Sequence, residues 1–362
     1  MFSIKPGHYI CYDSHSATLA SKCYWNIDEY TTGHINQADK AVDTLIDLLS
    51  DSISLRMQAD APIAMFLSGG IDSALIAALS GVETAITCQF SEFKNEINEE
   101  QYAVDLAQRL GIRTHVIRPT RSEFFDSLPK LAYHLEVPAG SFSVFPLYAL
   151  AKATSAMEHR VVLTGEGSDE LFAGYVRNEF LLADQLSPAS LKETQYLQMI
   201  ARYHGSDLER FCRMASRTGI QGAARLSSHL HSAWNHRLTF AQNITKLETT
   251  IYLQPLLQMS DRMTMAHSIE SRCPFLDYRI VEFSRSISDQ LMYKNGTGKW
   301  LVHKAAEKIL PRNSLVLERP IKHGLPTPIN LWLYGQHGFD RSHWNTKLLN
   351  ECINQLCPTY SQ

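Results

Sequence analysis

The sequence predicts an α/β fold in which a mainly parallel sheet is followed by a largely helical C-terminal portion. Between about residues 60 and 175, short apolar runs alternate with segments of helical periodicity, as in consecutive βαβ units. Two of these apolar runs end in glycine-rich turns, which is typical of the carboxyl edge of a parallel sheet. Beyond about Arg177 the strand signals fade. We therefore expect the sheet in the first half of the chain and helices in the second.

The spacing of apolar residues assigns the elements in chain order. Residues 1–34 are turn-rich, with β-like runs at His8–Tyr12 and Cys23–Ile27. From about Asn36, apolar residues recur at helical spacing and predict an amphipathic helix. Mostly helical structure, interrupted at prolines and glycines, is expected over 177–308. The α/β part between them is predicted to contain a strand at Pro62–Leu67, a helix at Ala74–Leu79, a strand at Ala85–Phe90, a helix at Glu99–Leu110 and strands at Thr114–Ile117 and Arg160–Leu163.

The overall composition is that of an ordinary globular protein and disfavours several functional classes. The 362 residues leave room for two or three domains, and 44% of them are apolar while 20% are charged. The formal net charge is −3, so no overall positive field attracts nucleic acid or an anionic membrane surface. No stretch approaches the roughly 18 uninterrupted apolar residues of a membrane-spanning helix. We therefore expect no nucleic-acid partner and no membrane partner.

The cysteine pattern favours reduced thiols and a cytoplasmic location. The seven cysteines are scattered and include no Cys-x-x-Cys pair, which disfavours a disulfide framework and a zinc ribbon. The first residues lack the basic segment and apolar core of a secretion signal.

The segment FLSGGIDSALIAAL, residues 66–79, combines a strand, a glycine-containing turn and a helix start. Glycines let the backbone approach an anion, and the first amides of the helix point towards it. The Ser68 and Ser73 hydroxyls add hydrogen-bond donors, and Asp72 offers a hard oxygen to Mg²⁺. The Lys-Ser/Thr pair of a Walker A loop is missing from this turn, which disfavours a P-loop enzyme. The alternative is a tight structural turn in which Asp72 merely caps the helix.

The segment VVLTGEGSDELFAGY, residues 161–175, repeats this design after a second strand. Helix capping accounts for Asp169 or Glu170, but it does not account for Glu166 and the two glycines beside it. In a parallel sheet both turns lie at the same carboxyl edge. Asp72 and Asp169 are therefore expected to face one crevice and to share a magnesium–polyphosphate.

These segments resemble the synthetase domain of the asparagine synthetase family (class B type), a PP-loop ATP pyrophosphatase with an adenine nucleotide α-hydrolase-like fold. Four motifs agree in the family's order, over about residues 36 to 330: SGGIDS (68–73), TGEGSDELFAGY (164–175), DRMTMAHSIESRCPFLD (261–277), and GKWLVHKAAEKILP (298–311) with RPIKHGLPTP (319–328).

The resemblance implies a division of the chain into three parts. Residues 1–34 resemble the end of the family's glutaminase half and its linker, 35–335 the ATP-pyrophosphatase domain, and 336–362 form a C-terminal tail. Phe2 stands where the family's glutaminase has its nucleophilic cysteine, so this chain is expected to lack glutamine hydrolysis. Nitrogen is then expected from free ammonia, a separate glutaminase subunit, or an amine on a substrate such as a peptide.

The implied activity is ATP-dependent amide formation with ATP and Mg²⁺. A carboxylate, aspartate or a related acid, is adenylated with loss of pyrophosphate, and ammonia then displaces AMP. The resemblance assigns Asp72 and Asp169 to the metal, Lys299 to stabilisation of the charged intermediate, and Glu166 to a general base or ammonium partner. Arg272 either holds phosphate oxygens or braces a loop. ATP and pyrophosphate are assigned to Leu67, Ser68, Gly69, Gly70, Asp72, Ser73, Phe90 and Gly165.

Other activities stay open from the sequence. Three apolar residues fall where the family builds its carboxylate pocket: Phe142, Val144 and Phe145. Either they are core residues, or they line the pocket and disfavour aspartate as the substrate. Relatives with the same chemistry use an amine nucleophile to close β-lactams or peptide macrolactams. A tRNA-modifying PP-loop enzyme is disfavoured because neither a basic surface nor a cysteine pair is visible. A non-catalytic nucleotide-binding subunit is disfavoured by the presence of all four acidic and basic site residues. The sequence does not determine the oligomeric state.

Overall fold

The computed structural model describes residues 4–92, 99–136, 141–183, 188, 190–200, 222–319 and 327–334. The predicted tail, 336–362, and most of the RPIKHGLPTP motif lie outside the described residues. The strands in chain order are β1 (His8–Asp13), β2 (Thr18–Cys23), β3 (Ile63–Phe66), β4 (Thr84–Cys88), β5 (Arg113–Ile117), β6 (Val161–Leu163), β7 (Glu270–Arg272), β8 (Tyr293–Lys294) and β9 (Thr297–Gly298).

Five of these strands form one parallel sheet in the order β5-β4-β3-β6-β7. From β3 the chain adds β4 and β5 on one side, and then returns to add β6 and β7 on the other. The strand order therefore reverses between β3 and β6, and a crevice for ligands opens at the carboxyl ends of strands at such a point. The predicted α/β fold with a parallel sheet is confirmed.

Helices cover both faces of the sheet and make up most of the chain after it, as predicted. Residues 190–200 are helical as well, and a π-helical turn at Glu248–Tyr252 joins two helices into a continuous rod. The helices are α1 (Ala38–Arg56), α2 (Ile71–Ser80), α3 (Glu99–Leu110), α4 (Arg121–Leu135), α5 (Val144–Ala156), α6 (Ser168–Leu171), α7 (Val176–Ala183), α8 (Gly222–Ala233), α9 (Phe240–Leu247), α10 (Leu253–Met265), α11 (Tyr278–Ser286), α12 (Asp289–Met292), α13 (Trp300–Ile309), α14 (Leu315–Glu318) and α15 (Ile329–Tyr334).

The two apolar cores follow from the alternation of side chains along the central strand. Met65 faces the core that α1, α2, α3 and α13 cover, whereas its neighbours Ala64 and Phe66 face the core under α4, α5 and α10. Successive side chains of a strand point to opposite faces, so a strand buried on both sides is apolar throughout. The apolar run at 62–67 therefore marks a central strand.

Two sequence assignments need correction. The second N-terminal strand was predicted at Cys23–Ile27, but it ends at Cys23, and Ile27–Tyr30 form a 3₁₀ helix that the Asn26 side chain caps. The fifth sheet strand, Glu270–Arg272, was not predicted, because three residues without apolar alternation give no strand signal. Its place comes from parallel pairing with β6, for example Leu163 opposite Arg272.

Two further sequence expectations concern the membrane and the cysteines. Within the described ranges, no helix combines the length and apolar character needed to cross a bilayer. Cys11, Cys23, Cys88 and Cys273 are free thiols. The remaining cysteines, at positions 212, 352 and 357, lie outside the described residues.

Candidate active site

The two glycine-rich turns follow β3 and β6, the adjacent strands at the point where the strand order reverses. A cavity of about 390 Å³ opens there, and both turns line it. The sequence-predicted residues that the cavity wall brings together are Leu67, Ser68, Gly70, Asp72, Ser73, Gly165, Glu166 and Asp169.

The first turn presents an uncapped helix start to this cavity. Gly70 is the N-cap residue of α2 and provides no side-chain cap, so Asp72 lies one residue inside the helix rather than capping it. The Ser68 and Ser73 hydroxyls lie 3.1 Å apart, and the Ser68 amide donates to Ser73 Oγ at 3.2 Å. The turn is thus held by its own serines, while the start of the helix stays open to an anion.

A buried lysine joins the two predicted metal-binding carboxylates. Lys299 Nζ donates to Asp72 Oδ1 and Oδ2 at 2.9 and 2.7 Å, and lies 2.7 Å from Asp169 Oδ1. Ser168 Oγ adds a hydrogen bond to Asp72 Oδ1 at 2.6 Å. Lys299 is only 3% exposed, so burial of its charge depends on these two carboxylates.

The backbone conformation at Lys299 directs its side chain towards the two carboxylates. Lys299 precedes α13 with a positive φ of 50°, and its amide donates to Phe172 O at 3.0 Å. Positive φ is unusual for a residue other than glycine and is held by the surrounding contacts. Gly174 lies against the lysine stem, because a Cβ there would be 2.5 Å from Lys299 Cδ.

We expect Gly174→Ala to disable the site while the protein stays folded. The new methyl group would meet Lys299 Cδ and Cε at 2.5 and 2.6 Å and would lie closer still to Asp169 Oδ1. Displacement of the lysine by about 1 Å lowers turnover by roughly 100-fold. Turnover and urea unfolding of the purified variant measure the effect.

Gly81→Ala is the control for the glycine substitution, because a Cβ there meets no atom of the described residues within 4 Å. Its φ of 64° makes alanine strained, at a cost of about 1 kcal/mol. The control is expected to lose stability but retain turnover. Full turnover in Gly174→Ala would contradict the close packing around Lys299.

Glu166 lies half-buried in the cavity wall, next to a thiol. Cys273 Sγ is 3.7 Å from Glu166 Oε2 and donates weakly to it. Burial, and to a lesser degree the neighbouring Glu170 carboxylate, raise the pKa of Glu166 to about 7. A carboxylate with a pKa near neutrality can accept a proton from an attacking nitrogen and release it afterwards.

Four predicted site residues are not part of this wall: Lys299, which pairs with the two aspartates, Gly69, Arg272 and Phe90. Arg272 donates to the carbonyl oxygens of Arg56 and Gln58 at 2.6 and 2.8 Å and pairs with Glu270. These contacts favour the bracing interpretation of Arg272 over phosphate binding. Phe90 is 1% exposed and packs on other aromatic rings, so its side chain belongs to the core beneath the cavity.

Comparison with known proteins places these motifs in one family. The family model described as asparagine synthase matches residues 44–350. The chain belongs to the asparagine synthase family. Among curated relatives, the glutamine-hydrolysing asparagine synthetase 1 of Bacillus subtilis is 33% identical and the alignment covers 87% of this chain and 53% of that protein.

Two more distant curated relatives are an amidase and a further asparagine synthetase. Amidase chyE of Penicillium rubens is 26% identical, over 80% of this chain and 52% of that protein. Asparagine synthetase 3 of Bacillus subtilis is 24% identical, over 86% and 52% respectively. The chain therefore spans about half the length of the curated relatives it matches. The resemblance found in the sequence is confirmed at the level of the family.

Sequence reasoning missed a second buried ion pair beside the first turn. Glu99 and Arg319 pair at 2.8 Å with side chains only 4% and 7% exposed, and Glu99 Oε2 accepts from the Gly69 amide at 3.2 Å. Arg319 also stacks on the ring of Tyr102 at 4.9 Å. The signal available was the arginine that opens the RPIKHGLPTP motif. Its partner, at the start of α3, is set by tertiary packing alone.

The raised pKa of Glu166 predicts a pH-dependent stability difference. Because the folded-state pKa is about 7 and the unperturbed value 4.5, the contribution of Glu166 to stability is complete below 4.5 and is lost as pH rises through 7. Glu166→Gln has no charge to bury, so its unfolding free energy does not fall in this way. From pH 5 to pH 8 we expect the difference in unfolding free energy between this variant and the parent protein to shift by on the order of 2 kcal/mol in favour of the variant. Urea unfolding at both pH values measures this.

The same variant provides a kinetic readout. If Glu166 acts as the base, turnover of the parent rises with pH through about 7, and Glu166→Gln loses that dependence. Glu248, whose pKa burial also raises to about 7, is unchanged in both proteins and cancels in the comparison. An unchanged pH profile in the variant would exclude Glu166 as the titrating group.

Proposed function

We propose that this chain is an ATP-dependent, AMP-forming amide ligase, the synthetase half of an asparagine synthase-type enzyme. It activates a small carboxylate, aspartate or a related acid, and transfers ammonia to give the amide. The proposal is carried by one observation: the ammonium group of Lys299 is buried between Asp72 and Asp169 beside an open helix start. That arrangement places an ammonium group, two carboxylates and the free amides of a helix start together where a polyphosphate would lie.

The reaction divides into two balanced steps. In the first, a carboxylate oxygen of the acid attacks the α-phosphorus of ATP, and the bond to pyrophosphate breaks. The amides of the first turn and Lys299 offset negative charge on the departing pyrophosphate. In the second, the nitrogen attacks the acyl carbon, the bond to AMP breaks, and the surplus proton passes to Glu166.

Mg²⁺ forms part of the proposal because the donors suit it. Asp72 and Asp169 both line the cavity and offer carboxylate oxygens, the ligands that Mg²⁺ prefers. In the described ranges there is no cluster of three or more His, Cys, Asp or Glu side chains that could hold a metal ion. The ion would therefore share its coordination with phosphate oxygens and water, and would screen charge on the leaving pyrophosphate.

The boundaries of the synthetase unit also belong to the proposal. We place it at 35–335, with 1–34 as the end of a preceding domain and 336–362 as a tail. Ile35, shortly before the start of α1, forms a β-bridge with Ile287 and so joins the synthetase unit. In contrast, β1 and β2 form an almost fully exposed hairpin. We also propose a cytoplasmic location, and a separate glutaminase subunit or a substrate peptide as partner.

An amine nucleophile is the second candidate, as in lactam- or macrolactam-forming relatives. Apolar side chains of α5 and α10 line the same cavity as Glu166, which suits an acyl group larger than aspartate. A substrate amine would then take the place of ammonia, and the first step would be unchanged.

Nucleotide product analysis tests the proposed function. The protein is incubated with ATP, Mg²⁺, an acid and a nitrogen donor, each omitted in turn, with ammonium, glutamine and an amine compared as donors. We expect acid-dependent AMP and pyrophosphate, and amide only when a competent nitrogen donor is present. Formation of ADP in place of AMP would contradict the proposal. Amide formed only with the amine would select the second candidate.

A further inference from the structure

We propose that the acyl pocket of this chain takes a carboxylic acid with an apolar side chain, rather than an acid with a second carboxylate. This inference depends on the proposed function and narrows its substrate. The acyl pocket is the part of the cavity lined by Leu147, Leu150, Leu253, Leu256 and Met259.

Two helix faces build this pocket. On α5 and the residue before it, Ser143, Leu147 and Leu150 line the cavity at spacings of four and three residues. The rod containing α10 contributes Tyr252, Leu256 and Met259 at the same spacings. Residues so spaced lie on one face of a helix, so each helix turns a continuous, mostly apolar stripe towards the cavity.

The pocket reaches the Glu166 side of the cavity through α10, whereas α5 also packs against β4 and β5. Helix α10 packs against α5 and against β7, the strand next to β6. The turn after β6 contains Glu166, whereas the residues expected to hold the nucleotide follow β3, with β4 beyond them. An acid seated between α5 and α10 would therefore have its carboxylate between Glu166 and the nucleotide side.

The charges around the pocket disfavour a second carboxylate. Among the residues that the structure describes in the cavity wall, every charged side chain is acidic: Asp72, Glu99, Glu166, Asp169 and Glu170. A carboxylate placed against leucines and beside these groups loses its hydration and gains repulsion. An apolar group in the same place gains from leaving water.

Three described cations close to the cavity wall are already paired with carboxylates, and the first of them, Arg319, pairs with Glu99 at 2.8 Å. Lys299 is buried between two aspartates, as described above. Arg177 pairs with the fully buried Glu248 at 2.8 Å and lies 3.8 and 4.5 Å from the rings of Tyr175 and Tyr252. Those two rings line the cavity and meet edge to face at 5.4 Å. The end wall is thus aromatic, with the guanidinium behind it.

Acid-dependent exchange of labelled pyrophosphate into ATP tests the inference. The acids compared are aspartate, leucine, isovalerate and 3-phenylpropionate, with ammonium omitted so that only activation is measured. We expect kcat/KM for an apolar acid to exceed that for aspartate by at least about tenfold. Equal or better exchange with aspartate would overturn the inference and leave the proposed function intact.

A variant links the preference to this wall. Leu256→Asn keeps the size of the side chain and is expected to lower kcat/KM for the preferred apolar acid about tenfold, with the KM for ATP unchanged. Leu55→Asn, the same change at a side chain 50% exposed on α1, is the matched control and should alter neither value. Thermal melting of both variants verifies that they fold.

The remaining outcomes are distinct. A raised KM for ATP in Leu256→Asn, with the acid preference unchanged, would assign the wall to the nucleotide and overturn the inference. No exchange with any acid would instead contradict the proposed function itself.

Discussion

Lys299→Met is expected to lower amide synthesis by about 10²–10³-fold and to destabilise the fold at the same time. The substitution keeps the unbranched stem of the side chain, one atom shorter, but removes the charge shared by Asp72 and Asp169. Loss of a donor that stabilises charge in the transition state lowers turnover by about 10²–10³-fold. The buried carboxylate of Asp72 and the half-buried carboxylate of Asp169, left without their cation, cost about 3–5 kcal/mol of unfolding free energy. Turnover and urea unfolding give the two values.

Magnesium distinguishes this account from a simple packing defect. In the variant, Mg²⁺ can partly replace the lost charge between the two aspartates. We therefore expect Mg²⁺ to raise the melting temperature of Lys299→Met more than that of the parent protein. The control is Lys304→Met on the same helix, where the lysine is 39% exposed and pairs with Glu307; it should change stability by under about 0.5 kcal/mol. Unchanged turnover in Lys299→Met would contradict the assignment.

Asp72→Asn is expected to have the next largest effect. The amide keeps the shape of the carboxylate but removes one of the two negative charges facing Lys299 and the proposed Mg²⁺. We expect a loss of turnover of about 100-fold or more. The dependence on Mg²⁺ concentration should shift to higher values, because a metal ligand is weakened. Initial rates over a Mg²⁺ series measure both effects.

Ser168→Ala provides a graded comparison at the same carboxylate. It removes only the hydroxyl that donates to Asp72 Oδ1 at 2.6 Å, and the expected loss is about tenfold. Asp105→Asn, at an aspartate that pairs with Arg109 on α3, is the control and should retain turnover. A larger loss in Ser168→Ala than in Asp72→Asn would show that the charge of Asp72 is not what matters.

Local sequence patterns predicted the parts of the fold that depend on neighbouring residues. The strand–turn–helix units around Ser68 and Gly165 are set by short-range apolar spacing and glycine, and both are where the sequence placed them. Because parallel strands share a carboxyl edge, the proximity of Asp72 to Asp169 also followed from the sequence. The family motif indicated a role for Lys299, but its contact with both aspartates is a result of the structure.

What the sequence did not predict depends on contacts between distant residues. The strand Glu270–Arg272 exists because β6 offers an edge for pairing, which its three residues do not signal. The Glu99–Arg319 pair joins residues 220 apart in sequence. Gly174 was visible within a motif, but the sequence does not show why a glycine is needed there. The need arises from packing, because the stem of Lys299 fills the space that a Cβ would occupy.

Transfer of oxygen from the acid to AMP tests the central claim most directly. An acid labelled with ¹⁸O in its carboxylate is incubated with ATP, Mg²⁺ and the nitrogen donor, and the phosphate-containing products are analysed by mass spectrometry. If the carboxylate attacks the α-phosphorus, one labelled oxygen appears in AMP and none in pyrophosphate. Label in orthophosphate, together with ADP, would show attack at the γ-phosphorus and would contradict adenylation.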